Sequence, residues 1–99
     1  QIGIPQIICN ILYEYGFVYL EQERFELAEK AFNEMLSFIP EGGQDLIALA
    51  QYGLARVAAA KGQLNQALSL ARASAKVLEL VGYRYAKEVR NWLRSICQD

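Results

Sequence analysis

The sequence predicts an all-α fold of five helices, and three observations lead to this prediction. Apolar residues recur at three- and four-residue spacing along most of the 99-residue chain. The only two prolines lie near predicted helix ends, away from helix interiors, where a proline costs roughly 3 kcal/mol. Glycines interrupt the apolar stretches at intervals typical of helix ends. With 54% apolar residues, a chain of this length is expected to form a single domain, residues 1–99.

The first two helices are predicted to form a hairpin over residues 7–40. Pro5 suits the first turn of the first helix, where its missing N–H costs nothing. The apolar positions that follow have helical spacing: Ile8, Ile11, Leu12, Tyr15, Val18 and Tyr19. The second helix is predicted over residues 25–39. Gly16 and Ala28 are the small residues expected to let the two helices approach closely.

A second hairpin is predicted over residues 45–80. Its first helix covers residues 46–61, with Asp45 as the N-cap, and its second covers residues 64–80. The two hairpins are related by a constant offset: Phe25 and Leu64 lie 39 positions apart, as do Ala28 and Ala67 and also Tyr13 and Tyr52. The chain therefore contains an internal repeat.

The last predicted helix covers residues 83–97 and has no partner of its own. Its apolar residues fall on one face: Tyr85, Val89, Trp92, Leu93 and Ile96. An unpaired amphipathic helix after the final hairpin is typical of a cap that covers the exposed end of a repeat core.

The residue types speak against catalysis and against metal or cofactor binding. The chain has no histidine, so Cys9 and Cys97 lack an imidazole to activate them. No cluster has the spacing of metal ligands, and Gly42-Gly43 lacks the Lys-Ser/Thr of a phosphate-binding loop. The two distant cysteines indicate a reducing compartment, and a cytoplasmic location is expected.

Charge and hydropathy indicate which classes of partner, such as membranes or nucleic acids, the chain is expected to bind. The formal net charge is −1, and no run of about 18 apolar residues could cross a membrane. Residues 1–47 hold eight acidic and two basic side chains, whereas residues 48–99 hold three acidic and eight basic ones. Tyr83, Tyr85 and Trp92 lie among the basic residues of the last helix, and aromatic rings beside arginines can stack on bases. A nucleic-acid-binding module is therefore one alternative function. Tyr85 and Trp92 fall on the apolar face, so nucleic-acid binding is not expected.

The first hairpin resembles a tetratricopeptide repeat. The residues that match its signature, in order, are Leu12, Tyr15, Gly16, Tyr19, Ala28, Phe32 and Pro40. Residues 52–58 and 86–93 are similar to the C-terminal end of bacterial, notably cyanobacterial, tetratricopeptide arrays, which often follow an NB-ARC-type nucleotide-binding domain. The resemblance implies a short right-handed solenoid of antiparallel hairpins. The chain opens at Gln1, so a fragment of a larger multi-repeat signalling protein is expected.

The resemblance also implies where a partner binds. First helices of successive tetratricopeptide repeats line a groove for a protein or peptide, and six residues of this chain fall on groove positions: Asn10, Tyr13, Phe17, Tyr52, Arg56 and Asn91. The alternative is a structural or oligomerisation segment without a ligand. The first helix is rich in apolar residues (Ile7, Ile8, Ile11 and Leu12), so self-association through it is also predicted.

Overall fold

The computed structural model describes residues 3–82 and 85–97, and within these ranges it contains helices and turns without any strand. Five helices follow one another: α1 (Ile4–Glu21), α2 (Phe25–Phe38), α3 (Gln44–Ala60), α4 (Leu64–Leu80) and α5 (Tyr85–Cys97). The predicted all-α fold of five helices is confirmed. The predicted start of the last helix at Tyr83 lies outside the described residues.

The helix ends follow local sequence signals in most places. Pro5 lies in the first turn of α1, as predicted. After α3, Gly62 adopts a φ of +83°, a left-handed conformation that suits a glycine at a helix C-terminus. Glu23 has a φ of +60° at the equivalent place after α1, 39 positions earlier. Since a side chain is disfavoured in this conformation, Glu23 is strained where Gly62 is not.

The prediction of Asp45 as an N-cap is wrong. The helix α3 begins at Gln44, its N-cap is Gly43, and no side chain bonds to the free N–H groups of its first turn. A tight turn places the start of the helix earlier, because the Gly43 amide donates to the Pro40 carbonyl at 3.0 Å. Asp45 lies in the first turn, where its carboxylate interacts favourably with the helix dipole.

Each helix packs against the next along the chain, and α1 also packs against α3. The largest fully buried side chains come from α2, α3, α4 and α5: Phe32, Met35, Tyr52, Leu78 and Val89. The core therefore connects both hairpins to α5, which is packed mainly on α4.

No helix within the described ranges combines the length and the apolar character that a bilayer span requires.

The ring of Phe32 fixes the distance between the first three helices. It is fully buried in α2 and lies against Gly16 of α1 on one side and Gly53 of α3 on the other. A Cβ atom at either glycine would overlap the ring. The two glycines therefore provide the space in which one aromatic side chain joins three helices, despite the cost of about 1 kcal/mol for a glycine in a helix interior.

The predicted apolar face of α1 is only partly buried within the described chain. Cys9 and Gly16 are buried, whereas Ile11, Tyr15 and Val18 are between 45% and 55% exposed. The physical reason is that α1 has apolar residues on two sides. The helices α2 and α3 cover one side, and no other described element covers the second.

Candidate functional site

The structure brings four of the six predicted binding residues together, from α1 and α3. Tyr13 and Phe17 lie one turn apart on α1, with their ring centroids 4.9 Å apart in an edge-to-face arrangement. The Phe17 ring lies 5.9 Å from that of Tyr52 on α3, and Tyr52 lies 5.8 Å from the ring of Trp92 on α5. We refer to Tyr13, Phe17, Tyr52, Arg56 and Trp92 as the aromatic cluster.

Arg56 lies at the centre of the aromatic cluster. Its guanidinium carbon is 5.8 Å from the ring centroid of Phe17, 5.7 Å from that of Tyr52 and 5.4 Å from that of Trp92. Its Nη1 donates a hydrogen bond of 2.8 Å to the Tyr52 hydroxyl. A guanidinium within about 6 Å of ring centroids is attracted to their negative faces. Arg56 therefore joins side chains from three helices.

Tyr52 does not lie on an open groove surface, contrary to the expectation that it lines the groove. Its side chain is only 1% exposed, because Phe17 of α1 and Trp92 of α5 pack against its ring. The Tyr52 hydroxyl donates to Oε2 of Glu88 at 3.3 Å, and burial raises the pKa of the phenol. Tyr52 is thus placed to position Arg56 and Glu88 rather than to contact a partner.

Asn10 and Asn91, the two remaining predicted residues, are both exposed, on α1 and α5 respectively. They lie outside the ring and hydrogen-bond contacts that join the aromatic cluster. Their side-chain amides are available as donors and acceptors to a partner's backbone. Of the six predicted binding residues, four therefore pack together in the aromatic cluster, and two have exposed side-chain amides.

A cavity of about 320 Å³ lies between α1 and α5, beside the aromatic cluster. Three rings and two carboxylates line this α1–α5 cavity: Tyr13, Glu14, Phe17, Tyr85 and Glu88. The sequence reasoning missed Glu14, Glu88 and the role of Trp92. A signal was present, because Glu88 lies three positions before the predicted Asn91 and therefore near it on the helix surface.

The described side chains of the site are groups that can bind a partner. Within residues 3–82 and 85–97, no group of three or more histidine, cysteine or acidic side chains could hold a metal ion. The Cys9 thiol is fully buried and donates to the Met35 carbonyl at 3.5 Å, and burial raises its pKa, which disfavours the nucleophilic thiolate. What the site offers is aromatic surface, hydrogen-bonding groups and charge.

Comparison with known proteins agrees with the repeat seen in the structure. The tetratricopeptide repeat family model matches residues 7–79, which covers both hairpins almost completely. No significant match was found among curated proteins or among solved structures. Tetratricopeptide repeats are non-enzymatic scaffolds that generally mediate interactions between proteins. The chain belongs to the tetratricopeptide repeat family.

Proposed function

We propose that this chain recognises a protein or peptide through the face formed by α1, α3 and α5. The observation that supports the proposal is the aromatic cluster, in which Arg56 contacts three rings beside the α1–α5 cavity. Tyrosine, tryptophan and arginine are the residue types that most often dominate binding energy at interfaces. Asn10 and Asn91 are exposed on α1 and α5, and their side-chain amides can bond a partner's backbone.

Selection of peptides from a displayed random library, followed by NMR titration of the whole chain, tests this proposal. We expect the selected peptides to shift the resonances of Tyr13 and Phe17. The double variant Asn10→Ala, Asn91→Ala should weaken binding without changing helicity, because both side chains are exposed. Tyr15→Ala, on the opposite side of α1, is the matched control and should bind normally. Peptides that shift only resonances near Tyr15 would contradict the proposal.

A second function, as an oligomerisation segment, is supported by the uncovered side of α1. Its exposed apolar residues are Ile4, Ile7, Ile11, Tyr15 and Val18. The last four correspond, 39 positions later, to residues of α3 that are buried or half-buried: Leu46, Ala50, Leu54 and Val57. Val57 and Leu54 pack against Phe32 of α2. The uncovered side of α1 is thus the equivalent of a surface that already receives a helix.

The 39-residue offset also relates two grooves, one beside the uncovered side of α1 and one beside the equivalent side of α3. Leu54, Ala58 and Leu70 line a cavity of about 140 Å³ together with Glu29 and Asn33 of α2. Their equivalents 39 positions earlier, on α1 and α2, line a groove of about 170 Å³: Tyr15, Tyr19 and Ala31. We therefore propose that a second copy of the chain can pack here, aided by the acidic first half and the basic second half.

Sedimentation velocity over a range of protein concentrations tests self-association. The double variant Ile7→Ser, Ile11→Ser should shift the equilibrium towards monomer, because it removes two exposed apolar side chains without altering the core. Leu80→Ser provides the matched control, since Leu80 is 79% exposed on α4, away from α1. A wild-type chain that stays monomeric at high concentration would contradict this second function.

We also propose that the chain is one domain, residues 1–99, with repeats over 7–40 and 45–80 and a cap over 83–97.

We further propose that this domain lies at the C-terminal end of a bacterial, cytoplasmic signalling protein. The similarity of residues 52–58 and 86–93 to the ends of such arrays supports this placement. Sequencing the transcript upstream of Gln1 tests it. A phosphate-binding loop followed by further repeats is expected, and an upstream region without such a loop would contradict it.

A further inference from the structure

We propose that the α1–α5 cavity binds a cationic side chain, a lysine or an arginine, of the partner segment. The inference rests on the proposed function and assigns a chemical class to its central contact. The cavity combines three aromatic rings with two carboxylates, Glu14 and Glu88. With a volume of about 320 Å³, it lies at the small end of the range of ligand pockets, which fits a single side chain.

The rings provide the first part of the recognition. Tyr13 and Phe17 line the cavity from α1, and Tyr85 lines it from α5. An ammonium or guanidinium group over the face of such rings is attracted by their quadrupoles. Phe17 already makes one contact of this kind with Arg56, at 5.8 Å. The aliphatic stem of a lysine or arginine would cover the remaining ring surface.

The carboxylates provide the second part. Within residues 3–82 and 85–97, neither Glu14 nor Glu88 forms an ion pair, and Glu88 accepts a hydrogen bond from Tyr52. Two other carboxylates of the described residues do have basic partners: Glu29 pairs with Lys61 at 2.8 Å, and Glu79 pairs with Arg90. The cavity therefore carries two negative charges without a described counter-charge in its lining.

The charges of the described lining favour a cationic side chain over an acidic one in the cavity. The Arg56 guanidinium is already engaged by three rings and by the Tyr52 hydroxyl. Arg56 does not line the cavity, whereas Glu14 and Glu88 do. An anionic ligand would meet like charge at the wall, and a cationic ligand would meet opposite charge.

The test begins with a library of random dodecapeptides displayed against the whole chain. We expect the enriched peptides to share a lysine or arginine at one position. A synthetic peptide with that residue replaced by norleucine should bind about tenfold more weakly in an NMR titration. Glu14→Gln and Glu88→Gln should each weaken binding of the basic peptide and leave binding of the norleucine peptide unchanged. The glutamine oxygen at position 88 can still accept from Tyr52, which preserves the fold.

Glu34→Gln is the matched control, because Glu34 is exposed on α2 and lies outside the α1–α5 cavity. This variant should bind the basic peptide as tightly as the wild type does. Groove-binding peptides without a shared basic residue would overturn the cation site and leave the proposed function standing. Equal binding of the lysine and norleucine peptides would also overturn the cation site and leave the proposed function standing. Peptides that bind only outside the face of α1, α3 and α5 would overturn both proposals.

Discussion

The Ser74 hydroxyl donates a hydrogen bond of 2.6 Å to the backbone carbonyl of Ala48, joining α4 to α3 inside the core. The equivalent positions in the first hairpin, 39 residues earlier, are Met35 and Cys9. There the bond runs the other way, because the Cys9 thiol donates to the Met35 carbonyl at 3.5 Å. Each hairpin thus has a polar bridge between its helices at the same place, with donor and acceptor exchanged.

Ser74→Ala tests the bridge of the second hairpin. We expect it to lower the free energy of unfolding by about 1 kcal/mol, because a buried hydrogen bond is lost. Ser37→Ala is the matched control, since Ser37 also donates to a backbone carbonyl at 2.6 Å but is exposed, and its loss should cost far less. Urea unfolding of both variants gives the comparison. Equal losses would contradict a special contribution from the buried bridge.

Gly53→Ala tests the packing of Phe32 between two glycines. The added methyl would overlap a ring that Gly16 already confines on the other side. Overpacking costs about 1–3 kcal/mol and outweighs the roughly 1 kcal/mol that alanine gains in a helix, so the variant should be destabilised. Combining it with Phe32→Leu should recover part of the loss. A double-mutant cycle in urea with no coupling would contradict direct contact.

Exchanging the residues at the two left-handed positions tests the strain at Glu23. Glu23→Gly should stabilise the chain by roughly 0.5–1 kcal/mol, because Glu23 has a φ of +60°. The reciprocal change, Gly62→Ala, should destabilise it by about 1 kcal/mol, since Gly62 has a φ of +83° and open space around it. Thermal unfolding followed by circular dichroism measures both. A destabilised Glu23→Gly variant would show that the turn is not strained.

Arg56→Lys tests the geometry of the aromatic cluster. Lysine keeps the charge but loses the planar group that contacts three rings, so stability should fall by about 1 kcal/mol. Arg72→Lys, at an exposed position on α4, is the matched control and should be neutral. Denaturant unfolding and the tryptophan fluorescence of Trp92 report on the cluster. An unchanged stability would mean that charge alone suffices at position 56.

The pH dependence of stability tests the burial of Tyr52, whose pKa is raised by burial above its ordinary value of 10.0. Above about pH 10 the unfolded chain releases the phenol proton while the folded chain retains it, so stability should fall as pH rises. Tyr52→Phe should remove part of this fall, which urea unfolding between pH 8 and 11 measures. Tyr15→Phe serves as the control for deleting a phenol. An equally steep fall in Tyr52→Phe would contradict the burial.

Local patterns made most of the helical framework predictable. The α4 bounds agree with the prediction, and the Gly62 turn lies where the glycine indicated an end. Such features depend on residues within a turn or two of one another, so the chain encodes them without reference to the fold. Asp45 shows the limit, because a neighbouring backbone turn places the start of α3 at Gln44, before the expected cap.

Local residue patterns alone are enough to predict that the chain is helical, where its helices turn back, and that its hairpins repeat every 39 residues. The packing of the helices reveals that Tyr52 is buried while Tyr15 is exposed, although both are aromatic residues within helices. It also placed Glu88 beside Tyr13 in one cavity. Exposure and cavities depend on which helices pack over which side of one another, and this is a property of the whole fold that no short stretch of sequence carries.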